Sequence, residues 1–130
     1  MLRLLAPCIV LVAGLLQAQE AAPEGPLYYT MEPDIITNYQ NSGKTLGYVR
    51  VTVDLMLEDS AQMPLVEQHT PLLRDAINHL LAEQNKQDIR SLTVRNQLAE
   101  QGLQRLNDLL LEETGEAPIR RLLFTKFLYQ

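Results

Sequence analysis

Between Val49 and Leu57 the chain alternates without a break: Val49, Val51, Val53, Leu55 and Leu57 are apolar, with Arg50, Thr52, Asp54 and Met56 between them and Glu58 after. A period of two places one set of side chains on each face of an extended strand, so this segment is a half-buried β-strand that needs a second layer against its apolar face. Upstream, Leu27-Tyr28-Tyr29-Thr30-Met31 and Ile35-Ile36-Thr37-Asn38-Tyr39 are rich in β-branched and aromatic residues, interrupted by Glu32-Pro33-Asp34. That composition predicts a second strand, bent or bulged at Pro33. Asn41-Ser42-Gly43-Lys44 reads as a turn between the two, which makes them an antiparallel hairpin.

The covering layer comes next. Asp59-Ser60 can serve as a turn and helix cap, after which the apolar spacing changes from two to helical: Leu72, Leu73, Ala76, Ile77, Leu80 and Leu81 build one face. Pro64 suits a first helical turn, and Pro71 either kinks a longer helix or starts the main one. A second helix is expected from about Thr93 to Glu113, with Val94, Leu98, Leu103, Leu106, Leu109 and Leu110 as its stripe and Gly102 as a weak point or a place of close approach. Gly115 and Pro118 end it. From Ile119 to Gln130 a last strand follows, apolar at Ile119, Leu123, Phe127 and Tyr129 in one alternation and at Leu122, Phe124 and Leu128 in the other. Read by strict alternation, both faces are apolar, which predicts burial on both sides or at a subunit contact. The order strand, strand, helix, helix, strand gives an α+β two-layer sandwich, with helices on one face of a small antiparallel or mixed sheet.

Residues 27–130 are enough for one domain with one core. Before them, residues 1–18 hold one early cation, Arg3, and an apolar run from Leu4 to Leu16 that contains Pro7. A spanning helix needs roughly 20 apolar residues, so this run reads as an export signal with cleavage after Ala18, the alternative being a retained short membrane anchor. Residues 19–26, rich in Ala, Glu, Pro and Gly, read as a spacer. Cys8 is the sole cysteine, so a product beginning at Gln19 has no thiol or disulfide chemistry. Such a product carries 10 basic against 16 acidic residues, a net charge of −6. Nucleic acid is not an expected partner, because Arg120-Arg121 is the one adjacent pair of cations.

Chemistry is sparse. His69 and His79 are ten residues apart rather than at the three- or four-residue spacing of a helical metal pair. Glu67 near His69 and Asp75 four before His79 read as a solvated helix face. Ser42, Ser60 and Ser91 sit in turns or at helix starts, none in a nucleophile motif. Gly43-Lys44 and Gly47 lack the spacing of a phosphate loop and belong to the hairpin. No catalytic, cofactor-binding or metal-binding residue is assigned, no cofactor is expected, and the chain does not read as an enzyme.

Several short patterns, in order, carry a family resemblance. They are Tyr28-Tyr29-Thr30-Met31-Glu32-Pro33 with Ile35, Ile36 and Asn38; Tyr48 to Leu55 closing at Glu58-Asp59; Pro71-Leu72-Leu73-Arg74-Asp75-Ala76-Ile77; Asp88-Ile89-Arg90 feeding a helix with Asn107; and Phe124-Thr125-Lys126-Phe127-Leu128-Tyr129-Gln130. Together they resemble the periplasmic domain of the FliL family of flagellar basal-body proteins across nearly all of residues 27–130. The resemblance implies a stomatin/prohibitin-like (SPFH-like) fold that tends to form rings. It also implies a non-enzymatic accessory of the flagellar motor, associated with ion-driven stator units, located in the periplasm and either free or held on the inner membrane by residues 2–18. Homo-oligomers and flagellar stator or basal-body proteins are the implied partners. Residues 1–26 depart from the family pattern, which has a cytoplasmic tail, a full transmembrane helix and a longer linker. The sequence therefore keeps open a second reading, a ring-forming periplasmic scaffold or adaptor not tied to flagella.

Overall fold

A computed structural model describes residues 27–40 and 46–130. Two long strands, β1 (Leu27–Tyr39) and β2 (Gly47–Leu57), open the domain. A single 3-10 turn (Ser60–Gln62) leads into helices α1 (Met63–Gln68), α2 (Thr70–Ala82), α3 (Lys86–Arg90) and α4 (Leu92–Thr114), and β3 (Ile119–Tyr129) follows. The three strands form one antiparallel sheet in the order β1-β2-β3. The α+β class is as the sequence predicts, and the sheet is antiparallel throughout rather than mixed. The expected export segment, the spacer and the Asn41 to Lys44 turn lie outside the described residues. No described helix is long and apolar enough to cross a membrane.

Alternation in β2 carries through to the structure: Val49, Val51, Val53, Leu55 and Leu57 are all buried, and the residues between them are exposed or half-buried. The helices lie on that face, α2 against β1 and α4 against β3. From α2 come Leu73, Ala76, Ile77, Leu80 and Leu81, and from α4 Leu98, Leu106 and Leu110, into one apolar cluster with the strands. Gly102 is the place of close approach: a Cβ there would stand 3.0 Å from Leu122 and 3.5 Å from Leu80. Both prolines start helices, Pro64 in the first turn of α1 and Pro71 in that of α2, so the break falls at His69 rather than as a kink. Asp59 caps the 3-10 turn in a capping box with Gln62, and Ser91 caps α4 through the Val94 N–H. Gly115, at φ 81°, closes α4 in the left-handed conformation, its N–H donating to the Leu111 carbonyl at 2.9 Å.

The reading of β3 as buried on both sides is corrected. It is an edge strand, and of its residues Ile119 and Leu122 are buried. The reason is two irregularities in its pairing with β2, at Arg120 and at Thr125, where β3 has an extra residue. Each extra residue reverses the alternation. Ile119, Leu122, Phe124, Phe127 and Tyr129 pair with the odd-numbered, core-facing residues of β2, and Arg121, Leu123, Lys126 and Leu128 pair with the even-numbered ones. What looks two-sided in sequence is a largely apolar inner face and a mixed outer face.

Candidate interaction surface

The polar residues singled out in the sequence have structural duties. His69 ends α1, its Nδ1 at 2.8 Å from the Leu65 carbonyl, and His79 is exposed on α2, 3.4 Å from the Asp75 carboxylate one turn earlier. The two are not brought together with each other or with Glu67 as a ligand set; no group of three or more potential metal-binding side chains occurs among the described residues. Ser91 is a helix cap and Ser60 opens the 3-10 turn. Gly47 lies under the Tyr39 ring, where a Cβ would come within 2.2 Å of ring carbon Cζ. That ring donates its hydroxyl to the Gln130 carbonyl, and Gln130 also exchanges two backbone bonds with Tyr48. The close of the chain is thus held by both strands of the hairpin.

Without a helix over it, the second face of the sheet presents Tyr28, Ile36, Tyr48 and Leu128, each at least 45% exposed. At its centre sits a charged latch that the sequence did not announce. The Glu32-Pro33-Asp34 interruption is the expected bulge, between Met31 and Ile35, and it turns the Asp34 carboxylate toward β2. Asp34 accepts from the Thr52 hydroxyl at 2.6 Å and from Arg50 Nε at 2.8 Å, with Lys126 Nζ of β3 at 3.6 Å. The Thr52 hydrogen bond first, then Arg50, hold its pKa below the ordinary carboxylate value of 3.8. On the backbone side, Arg74 of α2 donates to the carbonyls of Pro33 and Asp34. One bulge therefore connects all three strands and a helix.

The sheet's two edges differ. On β1, Pro33 offers no N–H, the bulge interrupts the ladder, and Arg74 occupies two carbonyls, all of which blunt an edge. On β3, Asn107 of α4 acts as a short substitute strand: its Nδ2 donates to the Ile119 carbonyl at 2.7 Å and its Oδ1 accepts the Ile119 N–H at 3.0 Å. Past Ile119, no further described residue pairs with β3 on that side. Between this stretch and α4 runs an open groove of about 320 Å³, lined by Asn96, Ala99, Glu100 and Leu103 of α4 and by 120–123 of β3.

Among the described residues the arrangement is a sheet with one bare face and one uncovered edge, the kind of surface through which proteins pair with one another. Residues 28–130 match the family described as flagellar basal body-associated protein FliL. The chain belongs to the FliL family. That is a family of flagellar accessory proteins and not of enzymes. It is also 29% identical over 110 residues to the "Flagellar protein FliL" of Aquifex aeolicus (strain VF5), a match that covers 85% of this chain and 65% of that relative. The chain thus spans just under two thirds of the length of the curated relative it matches. Asn107, noted in the sequence as part of the family pattern, has its physical role in the clasp on Ile119. The family's Glu-Pro stretch, present here as Glu32-Pro33, makes the bulge that aims Asp34.

Proposed function

We propose that the protein is a non-catalytic accessory of the flagellar motor, exported to the periplasm, where it self-associates and engages the stator units to support motility. Membership of the FliL family over residues 28–130 is the observation that carries the reading. The bare outer sheet face and the uncovered β3 edge support it, because a protein that acts by contact needs such surface and an enzyme needs a pocket. In physical terms, an accessory of this kind favours one of two states of a periplasmic stator segment by binding that state better. The proposal includes an SPFH-like domain that assembles into rings and a leader, residues 1–18, that is either removed or retained as an anchor. In the organism that encodes the chain, its deletion reduces swimming or swarming under viscous load, and the protein retrieves motor components from envelope extracts. Unchanged motility together with no recovered motor protein would overturn the reading. Intact mass and cell fractionation locate the protein: a chain starting at Gln19 in the soluble periplasm marks a free accessory, and an uncleaved chain in the inner membrane an anchored one.

A further inference from the structure

We infer that β3 between its two bulges, residues 121–124, is a receptor for a short extended segment of a partner protein, one that alternates apolar with acidic side chains. The inference rests on the reading that this protein works by binding, and it names the chemistry of what one surface binds.

Backbone geometry selects the site. Tyr48 and Gln130 exchange two backbone hydrogen bonds, at 2.9 and 3.3 Å, so the even-numbered residues of β2 turn their N–H and C=O toward β3. Arg121 and Leu123, paired with Met56 and Asp54, are satisfied there. Leu122 and Phe124 then turn theirs outward, in line with the outward groups of Ile119 that Asn107 already occupies. An added strand would continue the pairing that the Asn107 amide begins. Alternate side chains of that strand would enter the groove beside α4, where Ala99 and Leu103 are half-buried and form an apolar floor. At about 320 Å³ the groove lies at the lower end of the roughly 300–1,000 Å³ of small-molecule sites, and it is open along the strand.

Charge selects the occupant. β3 carries Arg120, Arg121 and Lys126 and no acid, whereas the segment from Glu58 to Pro118 holds 11 acidic and five basic residues. Cations on an edge strand also guard against pairing with another copy. Here they do so selectively, because a second basic β3 is repelled and an acidic strand is attracted. Arg120 and Arg121 are both exposed, and the acid beside them in the groove lining is Glu100.

The test uses the full chain, isotope-labelled, and two capped decapeptides, one alternating valine with glutamate and the other valine with lysine. With the acidic peptide, hydrogen exchange at the Leu122 and Phe124 amides slows by about tenfold or more, and the lysine peptide leaves it unchanged. Replacing both exposed arginines, Arg120→Glu and Arg121→Glu, weakens binding of the acidic peptide by about tenfold. The inference is overturned if the acidic peptide does not bind, if it binds without protecting these amides, or if the lysine peptide binds as well. Concentration-dependent protection with no peptide present would give the edge to a second copy and would also overturn it. A null peptide result with a clear motility defect would remove this inference and leave the flagellar reading standing; peptide binding without a motility defect would do the reverse.

Discussion

Three residues carry more of the architecture than their sequence surroundings suggest. Asn107 joins α4 to β3 by satisfying both backbone groups of Ile119, which is 3% exposed. Asn107→Ala leaves that N–H and C=O without partners in a dry place and should cost about 1–3 kcal/mol in denaturant unfolding. Gly47 leaves room for the Tyr39 ring, and Gly47→Ala forces ring or strand aside, an overpacking change expected to destabilise by about 1–3 kcal/mol in the same measurement. Asp34 contributes through its charge. Its folded pKa is depressed, so its contribution is fully present above the ordinary value of 3.8 and is lost as pH falls through the lower folded value. Asp34→Asn should therefore reduce stability at neutral pH and flatten the loss seen on acidification, read from unfolding midpoints between neutral and acid pH. Of these three, Asn107 and the Glu-Pro bulge were visible as motifs. Their duties were not, because each partner lies across the fold: Ile119 in another element, Thr52 and Arg50 on another strand.

Elements with regular periods were legible from the chain. The β2 alternation, the α2 and α4 stripes and the Gly115 stop appear where their spacing places them, since each is set by local geometry and by burial of one face. Ser91→Ala removes the side-chain acceptor of the Val94 N–H and should cost about 0.5–2 kcal/mol, with helix signal lost at a lower denaturant concentration. The short helix α3 is not predicted as a separate element, since Asp88-Ile89-Arg90 reads only as the lead into the following helix. Five residues are too few to show a period, and it is fixed by the Asn85 cap on the Asp88 N–H and by burial of Ile89. β3 misled for a different reason. Counting by twos assumes an unbroken ladder, and its two extra residues are recognisable only against β2.

As a whole the described residues share one apolar cluster that takes in all three strands and helices α1 to α4. All five tyrosines lie on the strands, and the far-ultraviolet signal is dominated by the helices. Tyrosine near-ultraviolet and helix far-ultraviolet unfolding curves should therefore coincide, and separate midpoints would mean that the layers unfold independently.

The sequence by itself determined the elements with a clear period, the α+β class and the absence of a recognisable catalytic motif, together with the family resemblance across residues 27–130. These depend on the order and spacing of neighbours along the chain. Only the tertiary structure decided that β3 is an edge, which of its side chains face inward, that Asp34 joins three strands, and that Asn107 stops short of covering the strand it clasps. Those facts depend on pairing register and on which groups remain unpaired once the layers have met, and neither is a property of any single segment.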